Sequence, residues 1–557
     1  MWAPRRLEWS TALVATALGA GYLMLPPMGS DLAAQVARAG FFATHGTVPV
    51  DLRWYAGVEQ FGYSLVSPTV MALLGVRVTG VLTLVAGPVL LAVLLRRTGA
   101  VRPVPGALLG VAAFAGNLIS GRVTYGLGIC FGLAALIALT LPGRRVRVTL
   151  AVILALLCAA TSPVAGLFLG LAGVALALTP PAAHHRCLST PETTASASHR
   201  NPAPHHRCLS GAETAVSAGR GTWRGAGLLV AVAAAVPLAI TALLFGDGGW
   251  MNISRTDTVH AVVTGLVVAL FVPVPAVRIG AVLSSAGVLV AALIHTPVGL
   301  NATRLAVMFA LPVLAACAVM PGRARTPWWG VAVVLAVIAW WQPPVVVNDV
   351  RDIGNPSADP AYFRPLLDRL AAETLTGRVE IPPTRSYWEA ASMAEVPLAR
   401  GWLRQADIHR NPLFFTTVPG AAGTGVELTA DSYRAWLDQE AVQFVAVPGT
   451  ELAWPGRQEA ALVTGGLPYL SLIWTGPHWR LYAVASPRPI VAAPATLVRQ
   501  DAASLVLDAP AAGEIGVRVR HHRWLTASGG ATVTADGDWT RLRVPAAGRY
   551  TLTSSLF

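Results

Sequence analysis

Asp31 lies in the stretch PPMGSDLAAQVARAGFF, Pro26 to Phe42, directly after the first apolar run of the chain. A carboxylate there has two roles open to it. As an N-cap it would accept from the first amides of a helix over Leu32–Ala39. Held within reach of a substrate hydroxyl, it would take up the proton as a general base. The two roles are compatible. Arginines at other segment ends supply complementary charge: Arg38 on the same helix, Arg122 in GRVTY and Arg304 in NATR. A guanidinium offers phosphate oxygens a planar fork of donors. At a hydrocarbon boundary it can equally well reach out to water.

Those charges need elements to hold them, and the composition says which. Of 557 residues, 54% are hydrophobic and 12% charged, with mean hydropathy +0.57. Charge is costly in hydrocarbon, so this balance implies many membrane-buried segments. All 41 basic residues are arginine and the net charge is +13. In such a chain, positive charge marks arginine-rich cytoplasmic loops rather than nucleic-acid binding. The five cysteines, Cys130, Cys158, Cys187, Cys208 and Cys317, do not form a disulfide framework.

Apolar segments long enough to span fall near 9–27, 79–95, 104–120, 122–141, 147–160, 163–180, 225–245, 259–273, 279–295, 303–320 and 327–345. The first follows Arg5 and Arg6 like a signal peptide, but no clean cleavage site follows, so it reads as an uncleaved helix. A shorter segment at 62–76 reads as re-entrant or interfacial. With eleven spans and the N-terminus inside, 16 arginines fall on inner segments. Outer loops hold mainly Arg38, Arg53 and Arg255, with Arg122 and Arg304 at helix ends. A twelfth span at 62–76 would destroy that asymmetry. Asp31 is then extracytoplasmic, in a long outer loop, residues 28–61, that also holds His45, Asp51, Trp54, Tyr55 and Glu59. Tyr125, Trp250 and Asn301 reach the same face, and long ordered loops at a membrane surface tend to carry function.

From about residue 346 no run is long enough to span. AYFRPLLDRLAAETL and DSYRAWLDQEAV read as helices, and GRVEIP, QFVAVPG and PHWRLYAVAS as strands, giving an α/β layer over 346–486. From 487 to 557 only strands and turns appear, as in a small β-sandwich. The expected architecture is a polytopic α-helical membrane domain, 1–345, with a disordered cytoplasmic loop near 182–224, carrying an extracytoplasmic α/β plus β-sandwich domain.

HHRCLS occurs at His184–Ser189 and His205–Ser210. Histidine with cysteine invites a metal reading. The surrounding Ser, Thr, Ala, Pro and Gly favour a short duplication in a tolerant loop. No G-x-x-x-x-G-K-[ST], strand–G-x-G-x-x-G–helix, H-E-x-x-H or G-x-S-x-G motif is present, which argues against nucleotide-driven transport and soluble-cofactor chemistry.

The order of one span, a long outer loop opening with an acid, D…DLRWYAG…FGYSLVSP, then arginine-punctuated spans and an outer C-terminal domain resembles the GT-C superfamily of integral membrane glycosyltransferases. GRVTYGLGICFGLAALIAL, TSPVAGLFLGLAG, LNATRLAVMFALPVLAA, PLARGWLRQADIHRNPLFF, YRAWLDQEAVQFVAV and WRLYAV carry the likeness, which is closest to actinobacterial members. The resemblance implies transfer of a sugar from a polyprenyl-phosphate-linked donor to a cell-envelope glycan, lipid or protein acceptor. Asp31 becomes the base, and Arg304, Arg122 or Arg38 the donor-phosphate ligands. His45, Asp51, Trp54, Tyr55, Glu59, Tyr125, Trp250 and Asn301 become substrate-binding candidates, the aromatic rings among them stacking on sugar faces. GSD lacks a second acid two residues away, so no D-x-D metal pair is indicated and no cofactor is expected. The terminal sandwich is similar to carbohydrate-binding modules at the level of fold. The competing classes are a transporter or lipid-linked-sugar flippase, against which stand the absence of an internal repeat and the scarcity of intramembrane acids, and a non-catalytic scaffold for envelope assembly.

Overall fold

The computed structural model describes residues 6–180, 213–320, 327–421 and 425–556, with the helical backbone alone for 213–223. Both HHRCLS copies lie outside these residues. Each of the expected apolar segments is a helix: α1 (Arg6–Met24), α4 (Val76–Arg97), α5 (Pro103–Ile119), α6 (Val123–Ala138), α7 (Arg144–Thr161), α8 (Pro163–Leu178), α9 (Glu213–Leu244), α10 (Arg255–Phe271), α11 (Pro275–Leu293), α12 (Arg304–Cys317) and α13 (Trp328–Trp341). Between α1 and α4 the long loop forms α2 (Leu32–His45), the strands β1 (Val50–Asp51) and β2 (Val58–Glu59), and α3 (Ser67–Leu74). The 62–76 segment thus supplies α3, of eight residues, far short of the ~20 that a span needs. Among the described residues four stretches, Val76–Arg97, Arg224–Leu244, Pro275–Leu293 and Gly299–Cys317, are long and apolar enough to cross a membrane by length and composition. The remaining bundle helices are shorter or less apolar.

Side-chain contacts at the helix ends fix the alternation. Glu8 at the start of α1 pairs with Arg96 at the end of α4 (2.6 Å), while Arg77 at the start of α4 donates to the carbonyls of Tyr22 and Leu25 at the end of α1 (2.6 Å each). Arg102 before α5 donates to the Ala315 carbonyl in the last turn of α12 (3.1 Å), whose first residue, Arg304, lies at the other end. Arg97 reaches Thr140 beyond α6, and Arg224 reaches the Thr179 carbonyl beyond α8. Arg96, Arg97 and Arg102 therefore sit at helix ends remote from the C-terminal domain, and Arg224 of α9 lies beside the end of α8. Arg77, outside the sequence tally, sits at the near end with its guanidinium on α1 carbonyls. Small residues let the helices approach: a Cβ on Gly173 of α8 would lie 2.6 Å from the Gly227 carbonyl oxygen of α9, and the reverse contact would be 2.7 Å.

The C-terminal domain begins with α14 (Val347–Val350), α15 (Arg364–Ala371), β3 (Arg378–Glu380), α16 (Glu389–Ser392) and α17 (Arg404–Arg410). It continues with α18 (Ala430–Gln439), β4 (Val442–Pro448), α19 (Trp454–Thr464), β5 (Leu470–Thr475) and β6 (Trp479–Val484). The sheet order is β3-β4-β6-β5, with β3 parallel to β4 and the other pairs antiparallel. The sequence patterns mark β3, β4, β6 and α18, extend α15 beyond its eight residues at both ends, and do not mark α17, α19 and β5.

The sandwich comprises β7 (Thr496–Gln500), β8 (Leu505–Ala509), β9 (Gly513–Arg520), β10 (Leu525–Ala527), β11 (Thr532–Asp536), β12 (Trp539–Val544) and β13 (Gly548–Ser554). They form two sheets, β10-β13-β8-β7 and β11-β12-β9. Alternation buries Leu505, Leu507, Val517, Val519, Leu542 and Leu552 between them.

Glu389 on α16 is buried, and its carboxylate accepts from the Thr384 hydroxyl (2.6 Å) and amide (3.2 Å). Burial nevertheless pushes its pKa up, from 4.5 to about 7. The folded state thus holds this proton at pH values where the unfolded chain has released it. Its stabilising contribution is complete below about 4.5 and is lost as pH rises through about 7. We expect Glu389→Gln to shrink the drop in thermal midpoint between pH 4.5 and pH 8, measured in detergent by intrinsic fluorescence. An unchanged drop would assign the proton to another group.

Candidate active site

The first residues of the outer loop are locked against the α5–α6 turn. Gly29 has φ +105, and a Cβ there would collide with the Ile119 carbonyl and the Ser120 backbone; Gly121, at φ +74, faces the Leu32 backbone in the same way. Only glycine permits both approaches. The Asp31 amide donates to the Ser120 carbonyl at 3.0 Å. The Ser30 amide donates to Asp349 Oδ1 (3.2 Å), the Ser120 hydroxyl to Asp349 Oδ2 (2.5 Å) and the Gly29 amide to Asp352 Oδ2 (3.1 Å). Trp402 Nε1 donates to the Ser30 carbonyl at 2.9 Å. The loop is thus held by the bundle on one side and by the C-terminal domain on the other.

These bonds aim the Asp31 side chain away from its own helix. Asp31 occupies the N-cap position of α2, but its carboxylate accepts no capping hydrogen bond. Its Oδ2 instead meets Arg304 Nη2 at 3.1 Å and Arg122 Nε at 3.4 Å. Arg122 immediately precedes α6 and Arg304 opens α12, so two helix N-termini add positive potential at the same point. The Arg304 guanidinium lies 5.6 Å from the Tyr125 ring centroid, with the Tyr125 hydroxyl 3.5 Å from the Arg304 carbonyl. Arg122 Nε is buried without a hydrogen bond of good geometry. A cleft of about 20 Å³ beside the pair is lined by Asn117, Ser120, Arg122, Tyr125, Arg304 and Pro344. That holds about one water.

Four of the sequence candidates, Asp31, Arg122, Arg304 and Tyr125, therefore meet. The others do not join them. Arg38 is buried one element away, its guanidinium 4.4 Å from the Tyr63 ring centroid and 3.5 Å from the Gln60 carbonyl; burial lowers its pKa. His45 faces Glu395 at 3.8 Å. Asp51 is taken up by a bidentate pair with Arg53, 2.7 Å at its shortest. Trp54 and Tyr55 offer no ring face for stacking: both are buried, with Trp54 Nε1 donating to the Ala390 carbonyl (3.2 Å) and the Tyr55 hydroxyl to the Gly401 carbonyl (2.5 Å). Glu59 is buried against His522 at 3.2 Å. Trp250 stacks on His295 at 4.0 Å between centroids, and Asn301 is held beside Met251. His45, Trp54, Tyr55 and Glu59 join the loop to the domain. Much of the loop's polar richness reflects that interface, and Val50 of β1 and the following Leu52 enter the sandwich core.

Sequence reading missed Asp349, Asp352, Ser120 and Trp402. Asp349 and Asp352 follow the last apolar segment in VVVNDVRDIG, the same setting that singled out Asp31. Asp349→Ala would leave the Ser30 amide and the Ser120 hydroxyl without their acceptor, at a cost of about 1–3 kcal/mol. We expect amide hydrogen exchange of a peptide spanning 28–34 to accelerate while peptides of β7–β13 stay unchanged. Unaltered exchange at 28–34 would remove Asp349 from the clamp.

Solved structures that match the chain include the cryo-electron-microscopy structure of arabinofuranosyltransferase AftD from Mycobacteria. It matches at 14% identity and TM-score 0.45, over 99% of this chain and 57% of that one. Two structures of a mutant of that protein match at 13% identity with TM-scores 0.44 and 0.45, over 99% of this chain and 60% and 59% of theirs. The chain thus spans less than two thirds of these neighbours' length. No family model and no curated protein matches the chain.

Proposed function

We propose that this multi-pass membrane protein is a glycosyltransferase that moves a sugar from a polyprenyl-phosphate-linked donor to a cell-envelope acceptor on the extracytoplasmic side. The observation that carries the reading is the meeting of the Asp31 carboxylate with Arg304 (3.1 Å) and Arg122 (3.4 Å) beneath the C-terminal domain. Transfer needs a group to take the acceptor's proton and a cationic cradle for the departing phosphate, and those are the charges present.

In the reaction the acceptor oxygen attacks the anomeric carbon and forms the new C–O bond. The bond from that carbon to the donor phosphate breaks, and its electron pair leaves with the phosphate. The acceptor proton passes to Asp31. Arg304 and Arg122 neutralise the leaving oxygen, while Tyr125 packs beneath Arg304. Attack opposite the leaving group inverts the anomeric centre. Arginines gathered at helix ends remote from the domain support placing that end in the cytoplasm. Among the described residues no group of three or more metal-ligating side chains is present, and the proposed steps use none.

The test is purified protein in liposomes with a radiolabelled polyprenyl-phosphate sugar and fragments of envelope glycan. Label entering glycan with release of polyprenyl phosphate supports the reading. Movement of intact donor across the bilayer without transfer would assign the chain to the flippases.

A further inference from the structure

The pairing that supports a base also restrains it. Asp31 Oδ2 is turned to guanidinium nitrogens, hydrogen-bonded to Arg304 and in ion-pair contact with Arg122, rather than to an acceptor hydroxyl. The adjoining cleft, at about 20 Å³, has no room for a sugar or a phosphate. The same Arg122 and Arg304 are the cations at this end of the bundle that face the carboxylate, so a donor phosphate and Asp31 must compete for them. Neither arginine is sealed in: their side chains retain 23% and 13% of their exposure, against 10% for Asp31.

We propose that Asp31 is a resting-state latch: it occupies the phosphate subsite of the empty protein, and binding of an anionic phosphodiester draws Arg122 and Arg304 away and frees the carboxylate to act as base. The proposal rests on the glycosyltransferase reading for the use made of the freed carboxylate; the competition itself does not depend on it. The exchange conserves charge pairing, since one anion replaces another beside two cations. It also keeps the base neutralised until a donor is seated. The Gly29–Gly121 interlock and the Asp349 and Asp352 bonds hold the Asp31 backbone, so the change falls on side chains. The N–H of Arg122 Nε, buried without a well-formed hydrogen bond in the latched state, has an acceptor to gain.

The experiment is equilibrium binding of a short prenyl phosphodiester, farnesyl methyl phosphate, to the full-length protein in detergent. It compares wild type with Asp31→Asn, Asp31→Glu and Arg304→Gln. Asp31→Asn keeps the shape and removes the competing charge, so affinity should rise by about tenfold, the size of one released partly exposed ion pair. Asp31→Glu keeps the charge and should bind like wild type. Arg304→Gln should weaken binding, and by a larger factor in the Asp31→Asn background, where the arginine is wholly available to ligand. Equal or weaker affinity in a folded Asp31→Asn protein, or additivity in the double variant, would overturn the latch. Tighter binding by Asp31→Asn in a protein without transferase activity would keep the latch and remove the enzyme reading. Transfer activity with unchanged binding would do the reverse.

Discussion

Asp31→Asn should lower the rate constant for sugar transfer by about 10²–10⁴-fold, the range spanned by loss of a positioned general base, without raising the KM for the lipid-linked donor. Asparagine keeps the volume and one acceptor oxygen but cannot take a proton. The two arginines left behind are partly exposed and can hydrate, so the fold should tolerate the change better than loss of one member of a sealed pair. The split between the two constants is the diagnostic part. If Asp31 only braced Arg122 and Arg304, its removal would loosen the phosphate cradle and raise KM with a modest change in turnover. If it is the base, turnover collapses while donor affinity holds or improves. The measurement is initial rate against donor concentration at saturating acceptor, with the thermal midpoint as a check on folding. Turnover within a few-fold of wild type would exclude Asp31 as the proton acceptor.

The parts of this site that were legible in the sequence are those that topology alone could place. A long apolar run forms one helix wherever it lies, so Arg122 and Arg304 fall at helix starts, and counting spans puts both at the end that carries Asp31. The outer loop was harder. Asp51, Trp54, Tyr55 and Glu59 have the residue types of a sugar site, yet Asp51 folds back on Arg53 and the other three join the loop to the C-terminal domain. Exposure to ligand and burial against a distant domain give the same polar, aromatic-rich string. Only the fold separates them, because their partners, Arg53 apart, lie far along the chain: Ala390, Gly401 and His522. The N-cap reading of Asp31 failed for a similar reason. The local spacing suited a cap, but guanidinium groups from two other helices were stronger partners than the amides of α2. Asp349 and Asp352 are not legible in the sequence because their partners, Gly29, Ser30 and Ser120, lie far earlier in the chain.

The strings that carried the family resemblance in the C-terminal domain prove to encode a buried charge cluster, and this supports the second large expected effect. Arg400, in PLARGWLRQADIHRNPLFF, donates through Nε and Nη2 to Asp407 (3.0 and 2.9 Å) and through Nη1 to Glu459 (3.0 Å), with Glu380 at 3.7 Å. Tyr433, from YRAWLDQEAVQFVAV, donates to Glu459 at 2.9 Å, and Asn411 donates to Asp407 at 2.9 Å. Three carboxyl groups share one guanidinium, and all are buried. Full ionisation would leave two uncompensated charges in the core. Burial, reinforced by the Glu459 charge, holds Glu380 well above the usual carboxylate range, and burial raises Glu459 to about 7. Asp407 is the bidentate partner of the guanidinium, and Glu459 adds its charge as pH rises through about 7. The consequence is an asymmetry. Arg400→Met removes the only cation and strands Asp407, so it should destabilise by about 3–5 kcal/mol. Asp407→Asn removes one anion but leaves Glu459, ionised above about 7, beside Arg400, so its cost should be well under half of that at pH 8. At pH 5, where Glu459 resists ionisation, the cost should rise. Arg400→Met combined with Asp407→Asn should regain most of the loss, since no charge is then stranded. Unfolding in detergent, followed by tryptophan fluorescence of the four proteins at both pH values, reads all three expectations. Because Trp402, two residues from Arg400, donates to the Ser30 carbonyl, Arg400→Met should also speed amide exchange at residues 28–34. Equal losses from Arg400→Met and Asp407→Asn at pH 8 would show that Glu459 does not take over, and that the cluster is a simple pair with two spectator acids.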